Sequence, residues 1–181
     1  LLRSWLVSQG FALASRDVHL TCDLTGLRPE ARLADGYEVR GSRGLEEVCQ
    51  RARAQYGAFS GSADFERYVA RFADFMASPA YDPDLDVVAA APDGQIGAFC
   101  ITWPDPLTGV GLFEPVGTHP DFQRRGLGKA VMLAALERLQ RLGMRQAIVT
   151  TGEDNLPAIK LYESVGFHLT SRLLYYKLKI N

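Results

Sequence analysis

The residues from Gln123 to Lys129 read Gln-Arg-Arg-Gly-Leu-Gly-Lys. Guanidinium forks and an ammonium donate well to phosphate oxygens. Gly126 and Gly128 carry no Cβ, so an anion can approach the backbone closely. An apolar strand, Val110 to Phe113, runs into this region, and a helix-compatible run, Lys129 to Leu142, leaves it. Backbone N–H groups in a first helical turn have no intrahelical partner, and the dipole there favours negative charge. The segment therefore reads as an anion cradle, or else as an ordinary strand-to-helix turn with solvated arginines. It is not a P-loop, because Gln123 stands at the first glycine position and Ala130 where Ser or Thr belongs. It is not a dinucleotide fingerprint either. Gly109-Val110-Gly111 meets Glu114, and Gly126-Leu127-Gly128 meets Val131, where a third glycine is required. Gln-x-x-Gly-x-Gly between a strand and a helix is what remains.

Two further places carry chemistry. Glu114 lies at the head of the same stretch. Asn155 and Tyr162, seven residues apart, fall near one face of a helix. The elements that must position them follow from periodicity. Tyr37 to Arg40 alternates as a strand. Leu45, Val48, Cys49, Ala52 and Tyr56 have helical spacing, as do Phe65, Tyr68, Val69, Phe72 and Met76, with Ser62 as a candidate N-cap. The aromatic stripe Phe65, Tyr68, Phe72, Phe75 reads as core, or as the lining of an acceptor pocket. Asp82, Asp84 and Asp86 read as solvated loop charges, or as a lure for an amine. Strands are expected at Val87 to Ala91, Gln95 to Trp103 and Val110 to Thr118, with a hairpin turn at Pro92-Asp93-Gly94. Helix Lys129 to Leu142 ends at Gly143. Strand Gln146 to Thr151, helix Pro157 to Val165, and a strand or hairpin from Phe167 to Leu178 close the chain. The order β-α-α-β-β-β-α-β-α-β implies an α+β domain, layered α/β/α around a mixed sheet.

The 181 residues suffice for one ordinary domain, and 47% hydrophobic content supports a packed core. A net charge of −1 argues against nucleic acid and membrane surfaces as partners. The positive charge at 124, 125 and 129 is thus local and suits a small anionic ligand. Cys22, Cys49 and Cys100 show no metal-ligand spacing and fit a reducing cytoplasm, read as small buried residues. No metal site is expected. One internal repeat stands out. Gly10-Phe11-Ala12-Leu13-Ala14-Ser15-Arg16 matches Gly166-Phe167-His168-Leu169-Thr170-Ser171-Arg172, after similar helical stretches. The expectation is a helix end followed by a hairpin-like pair of strands. Residues 1–36 then read as the tail of a preceding homologous domain plus a linker from Thr25 to Gly36, with the main domain at 37–181. The first residue, Leu1, adds to that expectation.

The loop, together with Asn155-Leu156-Pro157-Ala158-Ile159-Lys160-Leu161-Tyr162 and the following Gly166-Phe167, resembles the two acyl-CoA motifs of the GNAT (GCN5-related N-acetyltransferase) superfamily. The element order from about residue 37 to 180 is similar as well. The resemblance implies a GNAT-type fold with a central, mostly antiparallel sheet and acetyl-CoA as co-substrate. It implies that Val116, Gly117 and Thr118 offer backbone groups to the pantetheine arm, helped by a β-bulge that exposes N–H groups. Gln123, Arg124, Arg125, Gly126, Leu127, Gly128 and Lys129 would hold the pyrophosphate, and Asn155 would bond the pantetheine. In the repeat, Leu6 stands where Tyr162 stands, so a preceding domain would lack that tyrosine.

A thioester is already activated. The enzyme must supply a neutral amine and manage a leaving thiolate. Tyr162 is the candidate general acid and Glu114 the candidate general base. Some relatives carry their base two residues earlier, where this chain has Leu112. His119 reads as a turn residue. The expected function is transfer of an acetyl group from acetyl-CoA to a primary amine of a small molecule or peptide, by direct attack. The alternative is a non-catalytic acyl-CoA-binding module of a tandem protein, partnered by a preceding homologous domain or a second copy.

Overall fold

A computed structural model describes residues 2–28, 36–59 and 64–179. The elements are α1 (Leu2–Ser8), β1 (Phe11–Asp23), β2 (Glu38–Gly41), α2 (Val48–Ala58, preceded by a 3-10 turn at Gly44–Glu47), α3 (Phe65–Met76), β3 (Asp86–Ala90), β4 (Ile96–Asp105), β5 (Val110–Thr118), α4 (Leu127–Arg141), β6 (Gln146–Gly152), α5 (Leu156–Glu163) and β7 (His168–Leu178). One seven-stranded sheet runs in the order β2-β3-β4-β5-β6-β1-β7. Only the β5–β6 pair is parallel. The mixed, mostly antiparallel sheet is as the sequence implied.

Burial explains the patterns. Every residue of β3 is buried, and its run Val87-Val88-Ala89-Ala90 shows no alternation, as a strand covered on both faces should read. α4 turns Leu127, Ala130, Val131, Ala135, Leu136 and Leu139 to the core at helical spacing. It starts two residues earlier than its periodicity suggests, because Gly126, at φ 75°, is its cap. Asp64 caps α3, its carboxylate accepting from the Glu66 and Arg67 amides. Ser62, the cap expected from sequence, lies outside the described residues, as do residues 29–35 of the expected linker.

Three expectations need correction. Asp86 is not a loop charge. It is fully buried at the head of β3, where both carboxylate oxygens accept from Arg51 Nε at 2.9 Å and one accepts from the Tyr81 hydroxyl at 2.9 Å. Burial pushes the Asp86 carboxyl above its ordinary pKa, against the pull of Arg51. The Arg51 guanidinium also lies 3.9 Å from the Phe99 ring centre. α2 is therefore rotated to bring Arg51 inward, and it leaves Cys49, read from sequence as a small buried residue, exposed. The third correction concerns the ends of the chain. The segment after Gly10 is one long strand rather than part of a hairpin-like pair, and of the two readings for the segment after Gly166 the single strand holds.

Those two strands pair with each other. β1 sits between β6 and β7 and is antiparallel to both. Asp17 faces Leu173, Arg16 faces Leu174, and Val18 faces Arg172. Asp17 and Leu173 are themselves repeat equivalents, 156 positions apart. Swapping the two copies converts the Arg16–Leu174 pair into the Val18–Arg172 pair. The irregularities obey the same exchange: Ala14 is the extra residue in β1 and its equivalent Thr170 is the extra residue in β7. A local two-fold axis thus passes through the Asp17–Leu173 pair. β1 also builds the core, with Val18, Leu20 and Cys22 each about 1% exposed or less.

Candidate active site

β5 and β6 pair only from Val110–Gln146 to Leu112–Ile148. Beyond Leu112 they part. On its other side, β5 carries one extra residue against β4 between Phe113 and Val116, opposite Cys100 and Thr102. This is a β-bulge, and it lies at 114–115 rather than at Val116 to Thr118, where the resemblance implied one. The parting opens a cavity of about 500 Å³. Leu112 to Val116 line it from β5, Val149 to Thr151 from β6, and Asn155, Ala158 and Tyr162 from α5 and its cap. Because of the bulge, five consecutive β5 residues face it rather than alternate ones.

The cavity joins Glu114, Val116, Asn155 and Tyr162, four residues separated by up to 48 positions in sequence. Glu114 has an exposed side chain, while its backbone oxygen accepts from the Trp103 indole at 2.6 Å. Tyr162 is 5% exposed and packs on Phe167, with ring centres 6.2 Å apart. Burial, with a smaller contribution from Cys100, pushes its phenol up to about 12. It therefore stays protonated through neutral pH and presents an O–H donor. Asn155 caps α5: its Oδ1 accepts from the Ala158 amide at 3.3 Å, and its Nδ2 donates to Thr151 Oγ1 at 3.0 Å.

The basic loop does not line this cavity. It follows Thr118 at the far end of β5. His119 follows that strand and caps the short 3-10 turn Pro120–Phe122, its Nδ1 accepting from the Asp121 amide at 3.3 Å, the turn role expected of it. Arg125 donates to the Tyr37 hydroxyl at 2.6 Å and to the Asp121 carbonyl at 2.9 Å, so it braces the loop. Gln123, Arg124 and Lys129 are exposed, and Arg124 adopts φ 63°. The two glycines divide the labour. Gly126 has open space where a side chain would be and needs its positive φ. Gly128 is buried, and a Cβ there would lie 3.1 Å from Thr118 Oγ1 and 3.3 Å from Leu161. It serves helix packing rather than ligand approach. The Leu127 side chain, 1% exposed, is core, so only its backbone can face a ligand. A Cβ on Gly117 would strike the Phe99 ring.

Sequence reasoning missed the far wall. Asp17 from β1 and Leu173 and Tyr175 from β7 line the same cavity. The repeat had pointed at these strands without placing them here. A second cavity of about 330 Å³ adjoins through Pro115, which lines both. It holds Tyr68, Phe72, Phe75 and Trp103, with Gln55 and Arg71 as its polar groups. The α3 stripe is thus partly core and partly a pocket wall.

Residues 45–167 match the model of the acetyltransferase (GNAT) family. The chain belongs to that family. Among its relatives, a mycothiol acetyltransferase of Nocardioides sp. is 32% identical over 182 aligned positions, covering 88% of this chain and 59% of its own length. One of Arthrobacter sp. is 34% identical over 149 positions, covering 77% of this chain and 45% of its own length. The chain thus spans about half the length of these GNAT relatives. A GCN5-related N-acetyltransferase of Sphaerobacter thermophilus superposes with a TM-score of 0.78 at 22% identity, over 97% of this chain and 55% of that one. A tandem GNAT protein from the clavulanic acid biosynthesis pathway gives 0.75 at 17% identity, over 97% and 57%. Both share the fold. No described helix is long and apolar enough to cross a membrane.

Proposed function

We propose that this chain transfers an acetyl group from acetyl-CoA to a primary amine of a small molecule or peptide. The observation that carries the reading is the single cavity, at the parting of β5 and β6, onto which both Glu114 and Tyr162 open. The surroundings fit the co-substrate. Beyond Leu112, β5 lacks a β6 partner, which leaves room for the backbone of Val116, Gly117 and Thr118 to pair with a pantetheine arm as with an added strand. The open, left-handed Gly126 and the exposed Arg124 and Lys129 suit a pyrophosphate at the head of α4. Acetyl-CoA supplies an activated thioester. Glu114 takes a proton from the acceptor ammonium, directly or through a water. The neutral nitrogen attacks the carbonyl carbon, the C–S bond breaks, Tyr162 gives its proton to the departing sulfur, and the proton lost by the acylated nitrogen restores the phenol. The relatives' name adds a mycothiol-type acceptor to a panel of amines.

Thiol release from acetyl-CoA, followed across that panel, tests the proposal. Tyr162→Phe should lower kcat about 100-fold or more with CoA affinity retained. CoA binding without turnover on any amine would replace catalysis with the binding-module reading.

We also propose that residues 1–36 are the tail of a preceding homologous domain with its linker, and that 37–181 is the acetyltransferase domain. The internal repeat, with β1 and β7 related by a local two-fold, supports it. A parent sequence with no GNAT-like domain before this segment would refute it.

A further inference from the structure

Two carboxylates, Asp17 and Glu114, are the charged groups that line the site cavity, and no Lys, Arg or His lines it among the described residues. Glu114 comes from β5 and Asp17 from β1, with β6 between them. Because β5 and β6 part beyond Leu112, the two carboxylates stand on opposite walls of the cavity. One carboxylate is assigned to the reacting nitrogen. The other stands on the opposite wall with nothing to do.

Asp17 is half-buried and makes no ion pair or side-chain hydrogen bond among the described residues. Cations are near, but they are engaged. Arg16 and Arg172, equivalent residues of the repeat, both turn to Glu153, at 3.9 Å and 2.7 Å. A carboxylate left unpaired in a cavity, beside nearby arginines committed elsewhere, is a site for a ligand's positive charge. Thr150, Thr151 and Tyr175 add hydroxyls around it.

We propose that Asp17 determines acceptor specificity, holding a second positively charged, hydrogen-bond-donating group on an acceptor whose reacting amine lies at Glu114. The acceptor is then at least a dication in its protonated form and carries no carboxylate at the Asp17 end. The proposal rests on the acetyl-transfer reading, because that reading assigns Glu114 to the reacting nitrogen. Asp17 touches the acceptor away from the reacting atoms, so its loss acts on acceptor binding and KM more than on kcat.

The test uses three amines that share a five-carbon arm ending in an ammonium, a methyl or a carboxylate. Their dissociation constants are measured by calorimetry with the CoA-loaded protein, so that no turnover is needed. The wild-type protein should bind the ammonium-ended amine about tenfold tighter than the methyl-ended one, with the carboxylate-ended one weakest. Asp17→Asn should collapse this spread to within about twofold and leave CoA affinity unchanged, while Asp17→Glu should keep part of it. A wild-type protein that does not rank the three in this order overturns the proposal without any variant. So does a ranking that survives in Asp17→Asn. Tight, ranked binding without thiol release would instead sink acetyl transfer and leave the role of Asp17 standing.

Discussion

α1 and α5 are the matching helices of the internal repeat, each followed by glycine, phenylalanine and a long strand, yet they meet opposite fates. α5 is packed. Ala158, Ile159 and Leu161 lie against the main core, Tyr162 is 5% exposed, and Phe167 after it is 3% exposed. α1 has no buried residue: Leu2 is 71% exposed, Trp5 56% and Val7 60%. The same local signals (a short apolar helix, a left-handed glycine at φ 83° or 103°, an extended run) form in both places. What differs is the body behind them. Helix and strand are specified locally, whereas stability and function come only where a core and a cavity await the element.

The comparison can be broken by exchanging effects between equivalent positions. Phe167→Ala should cost about 3–5 kcal/mol in urea unfolding, because it empties a site packed by Phe113 at 5.6 Å and by Tyr162. Its equivalent, Phe11→Ala, should cost under about 1 kcal/mol. Equal losses would mean that the N-terminal copy is as well seated as the C-terminal one. Next comes function. Tyr162→Phe should cost about 100-fold in kcat, and Leu6→Ala at the matching position should leave it unchanged. A slowed Leu6→Ala would place α1 in the site. Trp5→Ser should shift stability by less than about 0.5 kcal/mol in this chain. In a parent chain with a homologous body before it, the loss should be clearly larger. The smallest effect concerns the other half of β1. Burial, then the Asp23 charge, pushes the Cys22 thiol up to about 11, and burial raises Cys100 as well. At pH 8 only about one part in a thousand of Cys22 is thiolate, so a disulfide reagent should modify exposed Cys49 alone. Rapid modification of Cys22 would show that β1 frays along its whole length.

The splaying of β5 was implied only by the family resemblance, whereas Asn155 at a helix start and Tyr162 one face along that helix were legible in the sequence, because each follows from spacing within a few residues. The element order gave the sheet its class for the same reason. Two things were not legible. Arg51 reads as a surface residue among Gln50 and Arg53, and only the arrival of Asp86 from 35 positions away makes it core. Asp17 is more distant still. Its repeat was visible, but a repeat says that two segments are alike, not that they lie side by side. Placement in the cavity depends on β1 inserting between β6 and β7, a long-range pairing that no local signal encodes.

The two-fold through Asp17 and Leu173 carries one more consequence. Residues on such an axis share a single environment, so identity there would set each side chain against its own kind. Elsewhere the copies can stay alike, as Arg16 and Arg172 do around Glu153. On the axis, two aspartates would face each other across a strand pair at like-charge distance, and two leucines would leave that wall of the cavity uncharged. The chain carries one of each. Its symmetry breaks at the pair that looks into the cavity, where the two repeated strands differ in charge.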